Sequence, residues 1–278
     1  MLTLIQTSQD RKYEVQRFIK SLNTQQHINF DKIQLIFIDQ GDNKKLFESL
    51  NPKIKFTYIK HKKCSLSEAR NLGLKFVEGN YVGFPDDDCW YSPLTLKKVL
   101  NHLNNGKSGV IAKGVNEDGI MTNRFAKESQ YISLYNHCGA ISYTIFLKFD
   151  PTLYFDEKLG VGSKLGFLSG EESDYLYHFL LKDSNVFYDK DIIVYHPLTK
   201  TDYFLNQLDK TYNYAKGYGY ILAKNHYPIS HKINAFLRPL AGIIIYSILF
   251  KFKRAQKSFY IFKGRIWGYT NYNKTIKK

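Results

Sequence analysis

Three adjacent carboxylates, Asp86, Asp87 and Asp88, end an apolar run in Tyr81–Tyr91, YVGFPDDDCWY. Three anions within a few ångströms of one another repel, and they do not all stay ionised cheaply at neutral pH without a cation. A hard divalent ion takes oxygen ligands and usually keeps some waters and substrate phosphates. The pattern therefore points to a metal bridging protein carboxylate and a diphosphate. The plainer alternative is a solvated acidic turn with Asp88 as a helix N-cap. A second acidic group, Glu171, Glu172 and Asp174, follows Gly160–Gly170 (GVGSKLGFLSG), which has four glycines in eleven residues. That composition suits a mobile loop able to approach a ligand closely. Acids in a first helical turn also complement the helix dipole. Asp39 ends an apolar strand, and His196-Pro197 closes another.

The surrounding pattern says what must position these groups. Strands are expected at Leu2–Gln6, Ile33–Asp39, Ile54–Ile59 and Tyr81–Phe84, from short apolar runs that end in polar turns. Between them, Tyr13–Leu22 and Leu66–Val77 carry apolar residues at helical spacing, and Lys44–Leu50 suits a short helix. This βαβαβαβ order implies a mainly parallel central sheet flanked by helices. Ligands of such sheets bind beyond the carboxyl ends of the strands, where Asp39 and Asp86–Asp88 both lie. Further along, a helix to about Leu103 capped by Ser92, a strand at Val110–Val115 and a strand pair within Tyr131–Leu147 are expected. A helix opening at Glu171 follows, then two short strands, Val186–Tyr188 and Ile192–Tyr195.

Composition bounds the class. The 278 residues are 44% hydrophobic, enough for a substantial core. Cys64, Cys89 and Cys138 have no metal-ligand spacing and cannot all pair, which fits a reducing compartment. The first residues lack a basic segment followed by a long apolar one, so no signal peptide is expected. The net charge of +15 is uneven: the last acid is Asp209, and residues 210–278 hold 14 Lys and Arg with no acid.

Four segments, in order, resemble the family 2 glycosyltransferases with the GT-A fold: IFIDQGD ending in Asp39 to Asp42, SEARNLGL (Ser67–Leu74), FPDDD (Phe84–Asp88), and GEESD (Gly170–Asp174) followed by VYHP (Val194–Pro197). The resemblance spans about residues 2–197. It implies an inverting transfer of sugar from a nucleotide-diphosphate donor, by default UDP, to a hydroxyl acceptor. It also implies roles. Thr7, Asp39, Arg70, Asp86 and Asp87 would serve the nucleotide sugar. Asp88, with Asp86 and His196, would hold Mn²⁺ or Mg²⁺. Glu172 would be the general base, with Glu171 or Asp174 as substitutes. The family more often has Asp at the position of Glu172. The expected domains are a catalytic domain over 1–205, with a nucleotide-binding half to about 100 and an acceptor half from about 101, and a helical extension over 206–278.

In that extension Leu240–Phe250 is uncharged but shorter than the roughly twenty residues a span needs. Phe252, Ala255, Phe259, Phe262 and Ile266 then recur at helical spacing beside Lys253, Arg254 and Lys257. This suits a helix lying on anionic lipid, or a terminal helix packed on the body with a solvated basic face. The expectation is a peripheral enzyme on the cytoplasmic face of the cell membrane, extending a lipid-linked or polysaccharide acceptor and binding no nucleic acid. A nucleotidyltransferase of similar shape would want a Gly-rich basic phosphate loop after the first strand, where this chain has QTSQDRKY. A nucleic-acid-binding protein would interleave aromatics and cations on a sheet face or groove, whereas here the basic excess lies beside an apolar run.

Overall fold

The structure is a computed structural model that describes residues 1–198 and 207–276. It divides into two compact units. The first comprises Met1–Cys64, Glu68–Tyr154 and Tyr175–Leu198; the second comprises Ser65–Ser67, Phe155–Asp174 and, of the described residues, 207–276. The expected boundary at 205/206 lies outside the described residues.

The first unit is built on nine strands: β1 (Leu2–Ser8), β2 (Ile33–Asp39), β3 (Lys55–Lys60), β4 (Tyr81–Gly83), β5 (Trp90–Tyr91), β6 (Gly109–Val115), β7 (Gln130–Tyr131), β8 (Ile145–Lys148) and β9 (Val186–Tyr195). Their order is β3-β2-β1-β4-β8-β6-β9-β5, with β7 on β9. The β3-β2-β1-β4 half is wholly parallel, and β2 is buried at every residue, as a strand covered on both faces must be. Beyond β4, the antiparallel β8 is inserted, and β6 pairs in parallel with β9. Helix α1 (Lys12–Asn23) buries Val15, Phe18, Ile19 and Leu22 in the core, beside Leu4, Leu35, Phe37 and Phe146. Helix α2 is Leu66–Leu74, and α3 is Thr95–Asn104. Gly73 lets α2 come close to the sheet: a β-carbon there would lie 2.5 Å from Ile5 and 3.0 Å from Ile38.

Several boundaries differ from the expected ones for local reasons. After Leu74 the α2 segment tightens to hydrogen bonds three residues back, from Lys75, Phe76 and Val77. Helix α3 starts at Thr95, and Ser92 Oγ lies 2.8 Å from Thr95 Oγ1. Lys44–Ser49 is a 3₁₀ helix. β7 and β8 pair with other strands and not with each other. The two short strands expected after residue 185 are one, β9, with a register shift opposite Ile111–Lys113. There the Asp191 N–H donates to Asp189 Oδ1 at 2.9 Å, a local turn that interrupts the ladder.

The second unit holds helices α5 (Leu208–Lys224), α6 (Ile229–Ile248), α7 (Phe252–Thr270) and the short α8 (Tyr272–Ile276). It also holds the first turn of α4 (Glu171–Lys182), whose later residues belong to the first unit. Helices α5 and α7 meet through glycines. A β-carbon on Gly219 would lie 2.2 Å from the Arg265 carbonyl oxygen, and one on Gly268 2.1 Å from that of Lys216. Pro239 inside α6 cannot donate to the Ala235 carbonyl four residues back; the Arg265 guanidinium of α7 donates to that carbonyl instead. The apolar stripe expected on α7 is divided: Ala255 is buried, Phe262 half-buried, and Phe252, Phe259 and Ile266 exposed. Among the described residues no helix is long and apolar enough to cross a membrane.

Candidate active site

Register builds the site. β1 and β4 run parallel with Leu4 opposite Gly83. Extending that register past the strand ends brings Ser8 to Asp87, and Ser8 Oγ donates to Asp87 Oδ2 at 2.8 Å. The Gln6 side-chain amide donates to the Asp86 carbonyl at 3.2 Å. On the other side, β5 and β9 run antiparallel with Trp90 opposite Tyr195. One step further, His196 Nε2 lies 2.9 Å from Asp88 Oδ1. Residues 108 positions apart thus become neighbours because the two-residue β5 pairs with the end of β9.

Asp86, Asp88 and His196 each offer one ligand atom, and these atoms lie within 4.8 Å of one another. Each is held from behind. Arg70, 1% exposed, donates to Asp86 Oδ1 at 2.8 Å, and Ser142 Oγ donates to the same oxygen at 3.1 Å. The His196 ring stacks on Tyr143 with centroids 4.5 Å apart. Its Nδ1–H donates to the Pro197 carbonyl at 2.7 Å, which directs Nε2 toward the carboxylates. Arg17 donates to the Asp88 carbonyl at 2.8 Å and lies 3.6 Å over the Trp90 ring. Two carboxylate oxygens and an imidazole nitrogen form a donor set that could hold a divalent cation.

Arg11 supplies a cation to two of the three aspartates, as Arg70 does to Asp86. Arg11 Nη1 lies 2.5 Å from Asp88 Oδ2 and 3.5 Å from Asp87 Oδ1. Burial pushes Asp87 up to about 6, with Arg11 and Ser8 opposing it only in part. Burial also acts upward on Asp88, but His196 and Arg11 outweigh it and hold that carboxyl at about 2. Burial disfavours the His196 imidazolium, yet Asp88 and Asp86 carry its pKa above the ordinary value. Arg11, Arg17, Ser8, Ser142 and Tyr143 are absent from the sequence-predicted set. For Arg11 the available signal was a position in the loop after the first strand, one residue from Asp10.

The other predicted residues fall as follows. Asp39 is fully buried at the end of β2, and both its oxygens are engaged. Oδ1 accepts from the Gly41 N–H and the Asn43 side chain, both at 2.9 Å; Oδ2 accepts from the Asn43 N–H at 2.8 Å and the Tyr58 hydroxyl at 2.7 Å. Burial acts to raise its pKa, and these donors outweigh it. Half-buried Thr7 accepts from the Gln40 amide at 2.9 Å. In the second unit, Glu171 and Asp174 are buried at the start of α4 and Glu172 is half-buried. Lys224 Nζ donates to Asp174 Oδ2 at 2.7 Å, and the Asn225 amide to Oδ1 at 3.0 Å. The glycine loop is tethered where Ser67 donates to the Leu159 carbonyl at 2.7 Å, and Phe167 packs with Leu159, Tyr220 and Ile221.

The chain is similar to several known proteins. GgaB, a minor teichoic acid biosynthesis protein of Bacillus subtilis (strain 168), is 29% identical over 164 residues, which are 50% of this chain and 18% of GgaB. The chain thus spans about a fifth of that relative's length. Among solved structures, S. aureus TarS 1–349 in complex with UDP aligns at TM-score 0.59 and 16% identity, over 99% of this chain and 91% of that one. The mannosyltransferase PcManGT from Pyrobaculum calidifontis, in complex with GDP-Man and Mn²⁺, aligns at TM-score 0.67 and 12% identity, over 98% and 86%. These structural likenesses are of fold and agree with a GT-A architecture. The pattern of the family described as "Glycosyl transferase family 2" matches residues 7–167, more than half of the chain. The chain belongs to the family 2 glycosyltransferases.

Proposed function

We propose that this glycosyltransferase moves a sugar, with inversion, from a UDP-sugar to a hydroxyl of a lipid-linked or polysaccharide acceptor, with Mn²⁺ or Mg²⁺ held by Asp86, Asp88 and His196. The observation that carries the metal is the convergence of those three side chains within 4.8 Å. When bound, a divalent ion neutralises charge on the leaving diphosphate. Arg70 and Ser142 keep the Asp86 carboxylate in place, and the stack on Tyr143 fixes the His196 ring. Arg11 moves from the aspartates toward the diphosphate as the donor enters. Asp39 and Thr7 serve the nucleoside end, and Asp87 orients its neighbours.

Glu172 takes the acceptor hydroxyl's proton during attack. Asp174 is committed to Lys224 and Asn225, and Glu171 is buried, which favours Glu172 within the run. UDP as the carrier draws support from TarS, whose fold this chain shares and which is known in complex with UDP and with UDP-GlcNAc. A polymeric acceptor draws support from GgaB, a minor teichoic acid biosynthesis protein. The basic stretch over 210–278 associates with the anionic cytoplasmic face of the membrane, where lipid-linked acceptors reside.

The test is a panel of nucleotide sugars scored for Mn²⁺-dependent thermal stabilisation and for hydrolysis. Asp88→Ala should lose donor stabilisation; Glu172→Gln should retain it and lose transfer. Normal turnover in both variants would sink the assignment.

A further inference from the structure

Helix α6 carries two unlike faces. Ala235 and Pro239 are buried, and Gly242 lies where a β-carbon would sit 2.7 Å from Ser258 of α7. On nearly the opposite side, Ile229, Ile233, Leu237, Leu240, Ile244 and Ile248 recur every three or four residues, and all six are exposed. At 100° per residue they occupy one arc of about 100°, running roughly 28 Å along the helix. That arc contains no charged residue. Arg238 lies beyond one edge of it and Lys232 beyond the other. The face continues into the α6–α7 turn, where Leu249, Phe250 and Phe252 are exposed, Phe250 by 80%, among Lys251, Lys253 and Arg254. The combined apolar area is on the order of 1,000 Å², against roughly 300–600 Å² for the largest patch of a typical soluble monomer.

Charge selects the occupant. Residues 210–278 contain 14 Lys and Arg and no acid. A second copy of this face would bring cations against cations with no carboxylate from either hairpin to offset them. An anionic bilayer surface offers the complement: acyl chains for the isoleucine and leucine arc, and phosphates for the lysines and arginines that flank it. We propose that the uncovered face of α6, with the α6–α7 turn, is the docking surface for an anionic lipid bilayer, with α6 lying in the membrane plane. The inference rests on the lipid-associated reading above and sharpens it, because the sequence pattern alone assigns the lipid contact to α7.

Co-sedimentation of the full chain with phosphatidylcholine vesicles, with and without one-third phosphatidylglycerol, tests this. Binding is expected only to the anionic vesicles and should weaken as salt is raised. The double variant Leu237→Glu/Ile244→Glu should lower it by about tenfold or more, with an unchanged thermal midpoint because both side chains are exposed. Phe259→Glu/Ile266→Glu on α7 should lower it less. Ile244→Trp should shift its emission to the blue on anionic vesicles. Wild-type-like binding by the α6 double variant, or a larger loss from the α7 variant, overturns the α6 assignment and leaves lipid association standing. Failure of the wild-type chain to bind either vesicle overturns the lipid reading itself. A concentration-dependent dimer in solution that the α6 variant abolishes would instead assign the face to a second copy and overturn the proposal.

Discussion

Arg70 and Asp86 form an ion pair at 2.8 Å in which the guanidinium is buried and the carboxylate still has access to solvent. In the proposed metal site this pair would fix the orientation of the Asp86 carboxylate from a buried charge. Replacing Arg70 with Leu removes one partner and leaves a carboxylate that is only a quarter exposed without its cation. The expected loss is about 3 kcal/mol in urea unfolding. Mn²⁺ affinity, measured by calorimetry, should fall by about 10–100-fold, as when any group orienting a ligand is removed. Unchanged Mn²⁺ affinity in a folded Arg70→Leu protein would count against Asp86 as a ligand.

Arg11 pairs with Asp88 at 2.5 Å, and a metal in the proposed site would have to share that carboxylate with it. Arg11→Ala should therefore strengthen the binding of Mn²⁺ alone, by about 5–10-fold, the size of one partly exposed charged pair. On the proposed reading the same variant should weaken UDP binding, because it removes a cation from the site assigned to the diphosphate. A parallel loss of both affinities would show that Arg11 supports the ligand geometry and does not compete for it.

Lys224 of α5 neutralises two acids, Asp156 at 2.8 Å and Asp174 at 2.7 Å. Lys224→Met should cost about 3 kcal/mol at neutral pH, since both carboxylates stay largely buried. Burial acts to raise Asp156, but Lys224 outweighs it and the pKa falls below the ordinary value. A depressed carboxyl contributes stability that is present above its unfolded pKa and lost as pH falls through the folded one. The wild-type protein should therefore lose this contribution only below about pH 4, and the variant should show a shallower acid limb in pH-dependent melting.

Arg265 and Pro239 should be coupled. Arg265 donates to the carbonyl that Pro239 leaves without a helical partner. Arg265→Met alone should destabilise by about 2 kcal/mol, the cost of an unsatisfied buried acceptor together with lost packing. In a Pro239→Ala background the alanine N–H can serve that carbonyl, so the Arg265 substitution should cost less. A double-mutant cycle with no interaction energy would refute the link.

Gly268 admits the Lys216 carbonyl where a side chain would sit. Gly268→Val should separate α5 from α7 and cost about 2–3 kcal/mol. Gly119, which has open space around its β-position, is not a sterically matched control, because its φ of +76° strains any side chain. Gln256, exposed on α7, serves better: Gln256→Ala should change the melting temperature little.

Local signals were legible where one run of residues decides the outcome. Ile33–Asp39 reads as a strand to the residue, because a continuous apolar segment ends at an aspartate whose side chain folds the following turn onto itself. The three acids after Pro85 read as a site because they are adjacent in the chain. The two-residue strand β5 was not legible, since Trp90 and Tyr91 have no period of their own and are ordered by β9. Nor was the role of Arg11, because one arginine in a polar loop looks like any solvated cation.

Sequence alone determined the family, the acid clusters and most of the helices and strands, since each depends on residues near one another along the chain. Tertiary structure decided which distant groups meet. His196 reaches Asp88 through the β5–β9 ladder, Ser8 reaches Asp87 through the register of β1 on β4, and the uncovered face of α6 is defined by what α7 already covers. Such pairings follow from strand register and helix contact, and no window of sequence contains both partners.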